Sequence, residues 1–245
     1  MKDKIFDIIE IEINHKCNMS CSYCPNAEFE RVEKGEMEPA LFTKLLSQLK
    51  DMDFKGVMSF HFYNEPLLSP NLANFTAEAK KTLNDIRIHL YTNGTLLSLE
   101  KFQELNKAGI DKYLITKHEG VSKLAVDTLM EQISPNEKDR IVYKKYTEIN
   151  LFNRGGLLPE VGPSQDLKLY PCHIPYNMIV VTVKGSVIPC FEDFYQKHQM
   201  GNISEKHLKE IWYDEKYIAF RETLRKGLRY QLDVCKNCNR NIVLF

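Results

Sequence analysis

Along the first half of the chain, strand-like segments carry polar residues on one face and apolar residues on the other, and a helix-like segment follows each of them. Ile9, Ile11 and Ile13 alternate with Glu10, Glu12 and Asn14. Ser59, His61, Tyr63 and Glu65 share one face of a second segment, His89, Tyr91 and Asn93 of a third, Thr116 and His118 of a fourth. The β-α order implies parallel strands wrapped by helices. A doubly wound sheet is covered on both sides and reads apolar on both faces. Polar residues on one face of successive strands instead predict an open barrel with a wet interior, built for a polar ligand. The alternative is that some of them are hydrogen-bonded core residues.

The helices have their own punctuation. Pro39 stands at the first helical position, ahead of a stripe of Leu41, Phe42, Leu45, Leu46 and Leu49. Ser69 and Pro70 read as a cap and first residue of the next helix, through Phe75 and Ala79 to Leu83. Ser98 caps a third helix that Gly109 stops, and 122–133 forms a fourth. Strands are expected over 57–63, 86–92 and 112–116, with one or two short ones over 141–143 and 148–152. After Asn153 the pattern changes. Gly155, Gly156, Pro159, Gly162, Pro163 and Pro171 mark an irregular connector. A β-hairpin follows over 176–188, turning at Lys184 and Gly185, and then two short helices around 208–213 and 217–226. The expected fold is α/β: a partial (β/α) barrel over residues 1–160, then a small domain of β-hairpin and helices over 161–245.

Charge narrows the function. Among 245 residues, 33 Lys and Arg balance 33 Asp and Glu, which disfavours a nucleic-acid binder. No stretch approaches the ~18–20 apolar residues of a membrane span. Lys2, Asp3, Lys4 and Asp7 break up the start of the chain where a signal peptide would be apolar. The expectation is a cytoplasmic protein with no nucleic-acid or membrane partner.

The 7 cysteines then become informative. An odd number in a cytosolic chain points to metal or redox chemistry rather than a disulfide framework. Cys17, Cys21 and Cys24 have the spacing C-x3-C-x2-C. Three thiolates on one loop can hold three irons of a [4Fe-4S] cube and leave the fourth open. Zinc is the competing metal, with His15 as a conceivable fourth ligand. Cys172, Cys190, Cys235 and Cys238 could ligate one further [4Fe-4S] cluster or one zinc.

The C-x3-C-x-aromatic-C pattern, with Tyr23 at the aromatic position, resembles the radical S-adenosylmethionine (SAM) superfamily. The resemblance implies a cluster whose open iron binds SAM and whose reduction releases a 5′-deoxyadenosyl radical. Glu65 and Pro66 match a G-G-E-P-like motif that holds the SAM amino group, although both glycines are replaced and Asn64 supplies only its backbone. Asn93, within Thr92-Asn93-Gly94, and His118 at the fourth strand end are further SAM contacts by resemblance. Gly201 to Ile203, Trp212, Phe220 and the Cys235/Cys238 pair look like an auxiliary-cluster extension in its shortened "twitch" form. That implies two [4Fe-4S] clusters, the second with four cysteine ligands and a role in electron transfer.

Within the superfamily, the chain resembles the 2-deoxy-scyllo-inosamine dehydrogenases of butirosin biosynthesis. Pro39 to Leu41, Ser59 to Tyr63, Asn153 to Gly156 and Pro189 to Phe194 are among the segments that look shared. The implied reaction oxidises one ring alcohol of an aminocyclitol to a ketone. Arg154 is the implied catalytic group, and Phe191, Glu192, Tyr63 and Tyr91 are substrate contacts. An arginine, with pKa above ~12, would bind the hydroxyl and favour its deprotonation rather than accept a proton. A carboxylate such as Glu192 would suit a cationic amine. A one-electron reductant such as flavodoxin or ferredoxin is implied as partner. Two other readings remain: a radical SAM enzyme that modifies a peptide, and a non-catalytic iron–sulfur or zinc protein.

Overall fold

β1 (Ile8–Ile11) begins a computed structural model that describes residues 5–122 and 124–241. α1 (Pro39–Asp51) follows with proline in its first turn, then β2 (Val57–Ser59), α2 (Leu72–Thr82) and β3 (Arg87–Thr92). α3 (Leu99–Ala108) starts where the Ser98 side chain accepts from the Lys101 N–H. It ends at Gly109, whose φ of 114° is left-handed, as a glycine stop requires. Next come β4 (Lys112–Lys117), α4 (Ala125–Gln132), the short α5 (Pro135–Lys138) and β5 (Ile141–Lys145). Beyond the connector lie α6 (Ile174–Asn177), β6 (Met178–Val181), β7 (Ser186–Ile188), β8 (Gly201–Asn202), α7 (Leu208–Trp212) and α8 (Glu215–Arg225).

One sheet of 8 strands runs in the order β5-β4-β3-β2-β1-β6-β7-β8. β1 to β6 are joined by parallel pairings, and β6, β7 and β8 are antiparallel. The hairpin therefore extends the main sheet, with β6 beside β1. The order leaves β5 and β8 as open edges, which makes the barrel a partial one.

The two strand faces behave as the alternation predicts. Ile9, Ile11, Met58, Ile88, Leu90, Tyr113 and Ile115 are buried in one core with Phe42, Leu45, Leu49, Phe75, Phe102 and Leu105 of α1 to α3. On the other face Glu10, Ser59, His89 and Lys112 stand in one register row across β1 to β4. A second, smaller core of Phe62, Tyr63, Ile174, Met178, Val180, Ile188, Phe191 and Phe194 joins the inner side of the sheet to the connector.

Local expectations fail where side-chain bonds override the pattern. β2 ends at Ser59 rather than Tyr63, and the Phe62 N–H turns to the Asn64 side chain (2.9 Å). Ser69 does not cap α2; its hydroxyl binds Glu36 (2.9 Å), and the helix starts at Leu72. α4 is shorter than 122–133, and residues 148–152 form no strand. The first hairpin strand loses its start to α6.

Candidate active site

The inner strand face and the loops at its C-terminal edge enclose a cavity of about 820 Å³. Cys17, Cys21 and Cys24 all reach it, as do Glu10, Ser59, Glu65, Tyr91, Asn93, His118 and Arg154. The cysteine loop is tied to the strand ends by its backbone. The Glu65 N–H donates to Lys16 O (2.8 Å), and Asn14 Nδ2 donates to Glu65 O (3.1 Å). His15 turns away, with Nδ1 accepting from the Gly35 N–H at 2.9 Å; that contact spends the nitrogen on the chain itself.

Glu65 is buried at the end of the second strand segment, surrounded by donors. Oε1 accepts from the Thr92 hydroxyl (2.7 Å) and the Leu67 N–H (3.0 Å), and Oε2 from the Asn93 N–H (2.8 Å). Burial raises its pKa, and these three donors pull it back. A carboxylate has about four acceptor positions, so one remains for an incoming cation. The Asn93 side chain donates to Asn18 Oδ1 (2.8 Å), which ties the third strand to the cysteine loop. The Asn64 side chain is spent on Phe62 N and Phe60 O, which leaves its backbone to face a ligand. Tyr23 bonds His118 Nδ1 (2.6 Å) and stacks on Tyr146 (5.5 Å). Burial keeps His118 below the usual histidine range and so neutral.

Cys172, Cys190, Cys235 and Cys238 line a second, smaller cavity with Glu192 and Arg229. Arg240 lines both cavities. Burial pushes the thiols of both sets up, Cys21 to about 11 and Cys238 to about 12. They are neutral at pH 7 until a metal displaces their protons. Among the described residues, no three His, Cys, Asp or Glu side chains converge on a single-ion site. The cysteines line cavity walls, three in one set and four in the other, and these all-thiol sets fit [4Fe-4S] cubes with one open and one closed coordination shell.

Between the cavities lies a layer of charge that spacing did not reveal. Glu192 is 2% exposed and reaches the smaller cavity, not the large one. Its Oε1 lies 2.7 Å from Arg240 Nε and 3.6 Å from Arg154 Nη1. Arg154 lines the large cavity, its guanidinium 5.8 Å from the Tyr63 ring centre. Burial works to lower the Arg154 pKa, but the anionic surroundings, Glu192 among them, outweigh it and the net direction is upward, so the guanidinium stays cationic. Tyr63 donates its hydroxyl to Phe191 O (2.7 Å), which leaves its ring to face a ligand. Phe191 and Tyr91 line the same cavity.

The sequence reading did not single out Arg240 or Arg31. Arg240 sits over the Phe152 and Phe191 rings at 4.0 and 4.4 Å. Arg31 sits among the Phe62, Tyr63 and Phe194 rings at 4.9 to 5.4 Å, paired with Glu12 at 2.5 Å. Neither arginine belongs to a motif, and only the fold brings them to their partners.

Comparison with known proteins agrees with this architecture. Residues 11–141 match the radical SAM superfamily, and residues 172–239 match the SPASM iron–sulfur cluster-binding domain. The chain is 44% identical, over 97% of its length and 94% of the relative's, to an S-adenosyl-L-methionine-dependent 2-deoxy-scyllo-inosamine dehydrogenase from Niallia circulans. A crystal structure of BtrN in complex with AdoMet and 2-DOIA superposes with a TM-score of 0.92 at 43% identity, covering 98% of this chain and 96% of that one. BtrN in an open conformation gives 0.79 at 39% identity, covering 97% and 94%. The chain belongs to the radical SAM superfamily, as a dehydrogenase-type oxidoreductase that carries two [4Fe-4S] clusters and uses SAM.

Proposed function

We propose that the protein oxidises one secondary ring alcohol of an aminocyclitol to a ketone, with 2-deoxy-scyllo-inosamine as substrate and an amino-dideoxy-scyllo-inosose as product. The observation that carries the reading is the place of Arg154. It borders the three-cysteine cavity, while its partner Glu192 borders the four-cysteine cavity. The full-length relative named for this dehydrogenase supports the same substrate class. When bound, the front cluster and SAM supply a carbon radical that takes a hydrogen atom, and the auxiliary cluster supplies an acceptor for the second electron.

The chain's own residues do the rest. Glu65, Asn93 and the Asn64 backbone hold the amino acid part of SAM, whose ammonium keeps Glu65 ionised. Tyr23 and His118, bonded to each other, border its nucleoside side. Arg154 donates hydrogen bonds to the reacting hydroxyl and stabilises negative charge on that oxygen as its proton leaves. Because Arg154 stays cationic, it is not the proton acceptor. Glu192, itself held by Arg240, pairs with the Arg154 guanidinium and orients it, so Glu192 acts on the substrate through Arg154. The rings of Tyr63, Tyr91 and Phe191 wall the cyclitol site.

A flavodoxin or ferredoxin would supply the priming electron. The seven unpaired cysteines suit a reducing cytoplasm. No helix among the described residues is long and apolar enough to cross a membrane.

The test is anaerobic turnover of the reconstituted protein with SAM, reductant and 2-deoxy-scyllo-inosamine. A product two mass units lighter, formed in step with 5′-deoxyadenosine, is the expected result. SAM cleavage that leaves the cyclitol unchanged would overturn the substrate.

A further inference from the structure

Glu192, Asp193, Arg229 and Arg240 line the four-cysteine cavity, together with His198. Burial keeps His198 below the usual histidine range and so neutral. Three of the four charges are answered by the protein. Glu192 is paired with Arg240 at 2.7 Å, and Arg154 stands 3.6 Å away. Asp193 accepts from the Lys197 and His198 N–H groups at 2.9 and 2.8 Å. Arg229 is different. It is 3% exposed, and among the described residues no carboxylate lies within ion-pair distance of it. Its bonds go to three neutral carbonyls, Tyr170 O, Pro171 O and Arg240 O, at 2.9, 2.9 and 3.0 Å. Pro171 directly precedes Cys172, and Arg240 follows close behind Cys238. The guanidinium therefore lies between the segments that carry two of the thiols. Burial raises the Cys172, Cys235 and Cys238 thiols, and the Arg229 charge opposes the rise at all three.

A guanidinium is charged at any working pH, and a buried charge without a counter-ion is strongly unfavourable. The group that the four cysteines fit supplies the missing counter-ion. Four thiolates make a [4Fe-4S] cube net negative, and one added electron makes it more so; net charge and hydrogen bonds to the sulfurs set the potential of such a cluster. A fixed cation beside it therefore favours the reduced form. Arg240 is spent on Glu192, which leaves Arg229 as the unpaired positive charge on this cavity. We infer that Arg229 is the counter-charge of the auxiliary cluster and holds its reduction potential up, so that the cluster takes the electron the substrate gives. Only the purpose rests on the proposed function, because the potential does not depend on the substrate. In that reaction the ring C–H hydrogen atom goes to the adenosyl carbon and the hydroxyl proton leaves. The one electron left over passes to the auxiliary cluster, and the carbon–oxygen bond becomes a ketone.

The experiment measures the reduction potentials of both clusters, by voltammetry of the loaded protein without substrate, in wild type, Arg229→Gln and Arg229→Lys. The front couple is identified by its loss when Cys17, Cys21 and Cys24 are replaced by alanine. Arg229→Gln removes the charge and keeps a donor. Its auxiliary cluster should take up an electron about tenfold less readily, a fall of ~59 mV, with the front potential unchanged. Arg229→Lys keeps the charge but not the fork that bonds the carbonyls, and should stay within about threefold of wild type. An unchanged potential in Arg229→Gln overturns the inference. So does an equal fall in both variants, because the carbonyl bonds and not the charge would then set the potential. Should Arg229→Gln fail to hold the auxiliary iron, Arg229→Lys decides: iron held at a potential near wild type supports the counter-charge, and failure to load overturns it. With 2-deoxy-scyllo-inosamine, Arg229→Gln should still cleave SAM but form severalfold less ketone per 5′-deoxyadenosine. If the potentials shift as expected and wild type makes no ketone, the counter-charge stands and the proposed function falls.

Discussion

Cys17, Cys21 and Cys24 come from one short loop and open onto a large cavity, whereas Cys172, Cys190, Cys235 and Cys238 are gathered from three separate segments around a small one. The back site is braced for permanence. Arg229 donates to Tyr170 O (2.9 Å), Pro171 O (2.9 Å) and Arg240 O (3.0 Å). Asn153 and Asn239 exchange backbone N–H to side-chain bonds at 2.9 and 3.2 Å. Those contacts join Asn153, the segment 170–171 ahead of α6, and residues 239–240. The front site is braced at its margins, by Glu65, by the Asn93–Asn18 and Tyr23–His118 bonds and by the Glu12–Arg31 pair, while Glu10, Ser59 and His61 on its inner strand face carry polar atoms with no hydrogen-bond partner among the described residues. In the proposed reaction one site exchanges ligands at every turnover, and the other holds a group that accepts an electron.

Alanine at Cys17, Cys21 and Cys24 together should bring SAM cleavage to background and remove about half the iron. Alanine at Cys235 and Cys238 should also cost half the iron but spare SAM cleavage, while ketone per 5′-deoxyadenosine falls by about tenfold or more. Iron analysis with both products quantified reads the contrast; equal loss of SAM cleavage in the two variants would erase the division of labour.

Glu65→Ala strands three donors at the front site and removes a cation partner. SAM affinity should fall by about tenfold to hundredfold, measured by calorimetry, with the auxiliary cluster unaffected.

The Glu12–Arg31 brace predicts a pH dependence. Burial pushes Glu12 up to about 7 against the pull of Arg31. The short ion pair and the raised pKa point in opposite directions; complete burial of the carboxylate decides in favour of the rise. The folded protein then binds more protons than the unfolded chain between pH 4.5 and 7, so stability falls as pH rises through that window. Glu12→Gln should remove a slope worth roughly 3 kcal/mol in total, seen in denaturant midpoints across that range. Tyr23→Phe should have the smallest effect. Losing its bond to His118 should weaken SAM binding by about fivefold, the worth of one net hydrogen bond.

The strand alternation was enough to place Glu10, Ser59, Tyr91 and His118 around one cavity, because period-two patterning is a backbone property. Pro39, Ser98 and Gly109 marked helix ends for the same local reason. The failures share a cause as well. Ser69 reads as a cap, yet its hydroxyl donates to Glu36, 33 residues away, and accepts from the Asn71 N–H ahead of the helix. Thiol spacing revealed the front loop, whose ligands are local. Glu192 was legible as a residue but not as a partner of Arg154 and Arg240, since pairings across tens of residues, 48 for Arg240, leave no trace in spacing. Arg31 in its aromatic surround was invisible for that reason too.

The central claim is that the ring carbon loses its hydrogen atom to the adenosyl group in the front cavity. The most direct measurement uses 2-deoxy-scyllo-inosamine with deuterium at the carbon to be oxidised, and follows the mass of 5′-deoxyadenosine as the ketone appears. The account predicts 5′-deoxyadenosine heavier by one unit, in step with ketone. Ketone formed alongside unlabelled 5′-deoxyadenosine would contradict it.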